Sequence, residues 1–296
     1  MNKEFEIITD SCCDLPAGLI IEKNIHYVSL TCSYLNMEYK DDFGISLSSK
    51  QLFEDMRKGI IPKTSQPNSN DFYLKFKEFA KQGKDILYIG VSSGLSGTIN
   101  SANIAKNMIK EEFPDVLIYI VDILTASLGQ GIMVMKAYDM KENGYSMGEI
   151  VDYLEINKQK LNTYITVNDL EYLKKGGRIS STAAILGMVL HIKPILTLDK
   201  EGKVIPVIKI KGRKKVINKI AAIVKEKIEN PEEQIIGICH GDCIEEALKL
   251  KEAILKNIDV KDVILNYIGP VVGVYGGPGA LAVFFIGKDR QNHIID

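Results

Sequence analysis

Ile86-Leu87-Tyr88-Ile89-Gly90-Val91-Ser92-Ser93-Gly94-Leu95-Ser96-Gly97-Thr98 is the stretch on which the reading of the fold turns. Four apolar residues describe a buried strand. The hydroxyls and glycines describe a loop, and Ile99-Asn100-Ser101-Ala102-Asn103-Ile104-Ala105 describes the helix that follows. At the carboxyl end of a strand in an α/β sheet, such a loop meets the positive end of a helix, and small residues let an anion approach the backbone. A phosphate or a carboxylate is the expected guest. The same residues also read as a plain turn in which Ser96 caps the helix.

Working outward, the unit repeats. Phe5-Glu6-Ile7-Ile8 is a short strand ending in Thr9-Asp10-Ser11-Cys12-Cys13-Asp14-Leu15-Pro16. Pro16 suits the first turn of a helix and Asp14 its N-cap. Asp10 reads either as a base or as a turn residue. Tyr27–Leu35 is expected to be one strand, followed by a polar excursion to Ser48 and a helix over Ser49–Lys58. Pro67 biases Gln66 toward an extended conformation, so Thr64 and Ser65 stay outside any helix and can point their hydroxyls into a cleft. Asn68–Gln82 is helical, with Phe72, Phe76 and Phe79 on a core face. Val116–Val121 is a strand ending at Asp122, and helices cover Ala126–Glu142 and Met147–Lys160. Apolar strands alternating with helices imply a mainly parallel sheet covered on both faces, a three-layer α/β/α domain over residues 1–160.

Residues 161–296 follow another pattern and read as a second, α+β domain. Thr163–Val167 is a strand, Asp169–Lys175 a short helix, and Gly176-Gly177-Arg178-Ile179-Ser180 a tight turn presenting an arginine. Ser181–His191 is small and apolar. Ile195–Leu198 and Val204–Ile210 bracket Asp199-Lys200-Glu201-Gly202, which is hairpin chemistry. Helices at Lys214–Glu229 and Cys243–Lys256 and strands at Ile235–Cys239, Val263–Tyr267 and Ala282–Ile286 complete it.

Composition excludes several classes. A hydrophobic fraction of 46% with 25% charged residues over 296 residues is that of an ordinary globular protein. A net charge of −1 argues against a chain devoted to nucleic acid. Between Lys158 and Glu233, however, basic residues outnumber acidic ones 16 to 8, densest at Lys209-Ile210-Lys211-Gly212-Arg213-Lys214-Lys215. That segment reads as a solvated face or as a docking surface for an acidic partner. The five cysteines have no framework spacing, and the charged start leaves no signal-peptide core, so a cytoplasmic protein with reduced thiols is expected. Cys239-His240-x-x-Cys243 lacks the spacing and the second ligand pair of a zinc site, and no metal is expected.

Two enzymic or ligand-binding patterns compete for the serine loop. Gly90-Val91-Ser92-Ser93-Gly94 satisfies Gly-x-Ser-x-Gly, the nucleophile elbow of serine hydrolases acting on acyl esters, with Asp122 and His240 in the required order. A binding protein for a phosphorylated metabolite would use the same loop. No Gly-x-x-x-x-Gly-Lys-Ser/Thr stretch is present to support self-contained ATP chemistry.

The loops taken together carry more. Thr9-Asp10-Ser11, Thr64-Ser65-Gln66-Pro67, Ser93-Gly94-Leu95-Ser96-Gly97-Thr98, Leu173-Lys174-Lys175-Gly176-Gly177-Arg178-Ile179-Ser180, Gly269-Pro270-Val271-Val272-Gly273 and Gly277-Pro278-Gly279-Ala280 occur in an order and spacing that resemble the DegV family from end to end. The resemblance implies a two-domain, non-catalytic protein that buries one long-chain fatty acid between its domains, with no cofactor besides that ligand. It implies the lipid-carrying subunit of bacterial fatty acid kinase, which presents the carboxylate to a separate ATP-binding kinase protein that makes an acyl phosphate. A monomer with transient contact to the membrane surface is expected. Carried over by motif, Thr64 and Ser96 would hydrogen-bond the carboxylate and Arg178 would support the head-group end. Where the family commonly reads Gly-Thr-His before the last Gly-Pro-Gly, this chain reads Gly273-Val274-Tyr275-Gly276-Gly277-Pro278-Gly279, so Tyr275 takes the place of the histidine. A phenol donates a hydrogen bond but does not become a cation. The acyl tail is expected along Ala183–Leu190 and the helix around Ile132–Ala137.

Overall fold

The computed structural model describes residues 3–180 and 192–290, and the expected tail-lining stretch Ala183–Leu190 lies outside them. Three sheets organise the chain. Strands β1 (Phe5–Asp10), β2 (His26–Val28), β6 (Asp85–Gly90) and β7 (Ile118–Asp122) form a four-stranded sheet in the order β2-β1-β6-β7, and every pairing in it is parallel. Both faces are apolar for that reason: Ile8, Ile86 and Tyr88 turn toward Phe72, Phe76 and Ala105, while Ile7, Leu87 and Ile89 turn toward Leu128 and Met133. The helices Ser69–Ala80 and Thr98–Glu112 pack together over the first face, and Leu128–Glu142 covers the second. The α/β/α layering read from the sequence is observed.

Strands β8 (Leu161–Thr166), β9 (Ile192–Leu198), β10 (Val204–Lys211), β11 (Ile235–His240), β12 (Asp262–Tyr267) and β13 (Leu281–Ile286) form a mixed six-stranded sheet, ordered β10-β9-β8-β13-β11-β12. Helices Arg213–Lys227 and Ile244–Leu255 cover one face through Ile195, Ile238, Val283 and Phe285. The other face meets the helix Leu128–Glu142, which touches both sheets. That helix is buried nearly all round, as a helix without a polar side must be. Glycines let the layers close. A Cβ on Gly131 would meet Cys13 O at 2.6 Å, and one on Gly129 would meet Phe284 Cδ1 at 2.8 Å. Among the described residues no helix is long and apolar enough to cross a membrane.

Several local expectations are corrected. Tyr27–Leu35 is two strands in different sheets, because the chain turns at Ser29-Leu30 and the Leu30 amide donates to Ser11 Oγ at 3.0 Å. Its second half, β3 (Thr31–Tyr34), lies between β4 (Met37–Lys40) and β5 (Lys63–Ser65) in a small antiparallel sheet that periodicity did not reveal. Asp14 caps no helix. It follows the 3-10 turn Ser11–Cys13 in a left-handed conformation, and Ala17–Glu22 starts after Pro16 without a side-chain cap. The helix over Met147–Asn157 stops short of Lys160. Gly269–Gly273, read as loop, begins the helix Pro270–Gly276, with proline in its first turn.

Candidate functional site

A cavity of about 400 Å³ opens where the three sheets meet, within the size range of small-molecule sites. Its polar end is built from four segments of the chain. Thr64 and Gln66 come from β5 and the residues after it, Ser96 from the loop after β6, Arg178 from the turn after the helix Glu171–Lys175, and Tyr275 from the helix Pro270–Gly276. All four residues singled out from the sequence, Thr64, Ser96, Arg178 and Tyr275, line this cavity.

Three of them are in contact. Tyr275 Oη lies 2.6 Å from Thr64 Oγ1, and the Arg178 guanidinium sits 4.4 Å above the Tyr275 ring. The ring fits there because residue 176 is glycine, since a Cβ would collide with Tyr275 Cδ1. Arg178 Nε donates to Leu95 O at 3.0 Å and its Nη1 to Gly176 O. The arginine therefore ties the turn to the serine loop while stacking on the phenol. Ser96 bonds to none of the other three: its Oγ is 2.7 Å from Thr98 Oγ1. That Oγ also accepts from the Thr98 amide at 3.4 Å, a long contact with the first residue of the helix, whose N-cap position is held by Gly97. Gln66 completes the end. A Cβ on Gly97 would meet its Oε1 at 2.5 Å, and its Nε2 donates to Ser101 Oγ at 3.1 Å. Gln66 was legible only as part of the Thr-Ser-Gln-Pro motif, with no role attached.

The rest of the wall is a sheet face. Thr163, Ile165 and Val167 in and just after β8, and Ala282 and Phe284 on β13, alternate along their strands and all line the cavity. Leu198 and Val204 extend it along the β9–β10 hairpin. The expectation that Ile132–Ala137 lines the tail region is not met. Only Ala126 and Ser127, just before the helix Leu128–Glu142, line the cavity, and Ile132, Met135 and Lys136 instead line a separate cavity of about 340 Å³.

The hydrolase constellation is dispersed. Ser92 is fully buried, donates to Gly202 O at 3.1 Å and accepts from Gly94 N at 3.1 Å. His240 Nδ1 accepts from the Cys243 amide at 3.3 Å, and its ring packs on Tyr267. Asp122 accepts from the Ser93 and Leu124 amides. Each member serves its own turn. Asp10 is a turn residue too: wholly buried, it accepts from Tyr88 Oη, Val91 N and Cys12 N at 2.7, 2.9 and 3.0 Å. Burial raises its pKa, and those hydrogen bonds oppose the shift.

A profile described as uncharacterised protein, DegV family, matches residues 4–288. A DegV domain-containing protein of Clostridium perfringens is 45% identical over 289 residues, covering 98% of this chain and 99% of that protein. The chain belongs to the DegV family. Among solved DegV structures, a fatty-acid-binding family member from Thermus thermophilus superposes with a TM-score of 0.87 at 30% identity, covering 97% of this chain and 100% of that one. DegV of Bacillus subtilis, a fatty acid binding protein, superposes with a TM-score of 0.85 at 31% identity, again over 97% and 100%. The DegV assignment read from the ordered loops is thus established, and fatty acid binding is a property of solved DegV proteins.

Proposed function

We propose that this chain carries one long-chain fatty acid, with the carboxylate at Thr64, Ser96 and Tyr275, the Arg178 guanidinium behind them, and the acyl chain along the β8–β13 face. The observation that carries the reading is one apolar cavity with hydroxyl donors gathered at one end. A buried carboxylate is tolerable only when donors satisfy its oxygens. Each methylene removed from water contributes about 0.8 kcal/mol, so a long tail supplies most of the affinity.

The chain itself performs no chemistry in this reading, and a separate ATP-dependent kinase protein phosphorylates the presented carboxylate. Thr64, Arg178 and Tyr275 line both the cavity and an outer groove of about 510 Å³, where Lys63 and Lys175 also lie. These three residues are the partition between the ligand and the outside. Lysines on its outer side suit the phosphates of a nucleotide brought by the partner.

Lipid extracted from protein purified from bacteria should amount to about one fatty acid per chain, quantified by mass spectrometry. Repeated extraction without stoichiometric lipid, together with no rebinding of added fatty acid, would sink the carrier. Tyr275→Phe removes one donor and keeps the packing. A hydrogen bond to a charged group is worth about 1.5–3 kcal/mol, but the phenol already has Thr64 as partner, so the lower end applies and affinity should fall roughly tenfold. Wild-type affinity in Tyr275→Phe would make the residue a space-filler.

A further inference from the structure

We propose that Thr125 and Thr163 form a second polar subsite inside the cavity, and that it selects a long-chain fatty acid carrying a hydroxyl on its acyl chain. The inference rests on the carrier reading and narrows its cargo. Thr163 stands on the cavity face of β8 in line with Ile165 and Val167, and across the ladder it pairs with Phe284. Strand alternation along an apolar wall calls for an apolar residue there. Valine would match the shape of the side chain, so what threonine adds is a hydroxyl. Thr125, in the loop after β7, brings a second hydroxyl to the same point. Glycine at 129 leaves the room it occupies, since a Cβ there would come within 2.8 Å of Thr125 Oγ1. Thr125 is wholly buried and Thr163 is exposed by only 2%, yet both line the cavity.

The protein serves these two hydroxyls poorly. Thr125 Oγ1 lies 3.3 Å from Thr163 Oγ1 and 3.4 Å from Ala126 O. Hydrogen bonds from a hydroxyl to an oxygen prefer about 2.7–2.8 Å, and buried polar groups ordinarily find such partners. Other buried threonines of this chain do: Thr9 Oγ1 donates to Ile89 O at 2.9 Å and Thr197 Oγ1 to Thr163 O at 2.7 Å. The proton count leaves Thr163 incomplete. If Thr125 donates to Ala126, Thr163 donates to Thr125 and accepts nothing; if Thr125 donates to Thr163, the Thr163 proton has no acceptor among the described residues. One further oxygen beside the pair, able both to donate and to accept, completes either arrangement.

The cavity wall narrows the chemistry of that oxygen. Among the described residues Arg178 is the one charged residue lining the cavity, and the Tyr275 ring, Leu95 O and Gly176 O hold its guanidinium at the head-group end. A second carboxylate beside the threonines would be buried without a counter-charge, which disfavours a dicarboxylic acid. A hydroxyl is neutral and has both the proton and the lone pairs that the pair lacks.

The experiment measures affinities for stearic acid and for a series of monohydroxystearic acids in which the hydroxyl moves stepwise along the chain. In wild type, one position or two adjacent ones should bind roughly tenfold more tightly than the other isomers, whose hydroxyls are buried without a partner. In Thr163→Val the ratio of that isomer to stearic acid should fall by about the same factor. Thr125→Val is the second variant should Thr163→Val not fold. Uniform affinity along the series makes the pair a holder of water and overturns the subsite. A positional preference that survives the valine substitution overturns it too, because another group then recognises the hydroxyl. Stearic acid separates this inference from the reading beneath it. Stearic acid binding with a flat series removes the subsite alone, whereas failure of stearic acid and every isomer to bind removes the carrier and the subsite together.

Discussion

Ala282→Phe should leave the protein folded and nearly free of lipid. Ala282 sits on β13 between Cys239 of β11 and Ile165 of β8, and all three line the cavity. A phenyl ring at this position grows into open space rather than into a packed layer, so the overpacking penalty of about 1–3 kcal/mol is largely avoided. The volume it takes is the volume the acyl chain needs. Bound fatty acid measured by mass spectrometry should fall from about one per chain to below roughly a tenth, equivalent to more than about 1.4 kcal/mol of lost affinity. Full occupancy in Ala282→Phe would place the acyl chain elsewhere, with the cavity beside Ile132 and Met135 as the alternative to test.

Gly277→Ala should produce a large loss of stability for a single added methyl group. Gly277 has φ 72 and ψ 172, a region of backbone space reserved almost wholly for glycine, and its missing Cβ is replaced by the Tyr172 ring. Strain and collision together amount to about 3 kcal/mol, which lowers the melting temperature by roughly 5–10 °C in a chain of this size. Gly148→Ala is the control. It lies within the helix Met147–Asn157 with nothing inside 4 Å of the added methyl, and the same change there should stabilise by about 0.5–1 kcal/mol. Thermal melts of the two variants should move in opposite directions. Equal melting temperatures would show that the Gly277 turn relaxes at no penalty.

The strand–loop–helix units were legible because two independent signals agreed. Ile86–Ile89 is apolar without interruption, as a strand buried on both faces must be, and the loop after it is too small and hydroxyl-rich for either regular structure. The four cavity residues Thr64, Ser96, Arg178 and Tyr275 were legible through the motifs that carry the family resemblance. What the sequence hid is tertiary. Tyr27–Leu35 has the composition of one strand, and nothing local marks the corner at which Leu30 binds Ser11. Pro270–Gly276 has the glycine content of a loop, yet its packing against other elements holds it helical. Ile132–Ala137 was read as tail lining because its residues are small and apolar, a property shared by a helix buried for any reason. The alternation of Thr163, Ile165 and Val167 was the better indicator of the wall.

The helix Leu128–Glu142 lies between the two larger sheets, and one continuous apolar cluster runs from Ile7 and Leu87 through Met133 to Leu196, Ala282 and Phe284. Gly129 and Gly131 bring Phe284 of the six-stranded sheet and Cys13 and Leu15, just after β1, to within contact distance of a single helical turn. Each half also has a cluster of its own, around Phe72, Phe76 and Tyr88 in one and around Ile220, Ile238 and Phe285 in the other, but the shared cluster is lost when either half melts. Calorimetry should accordingly register one transition, with the van't Hoff enthalpy equal to the calorimetric one, although the strands are divided between separate sheets. A ligand lodged between the sheets would then raise the melting temperature of the whole molecule at once.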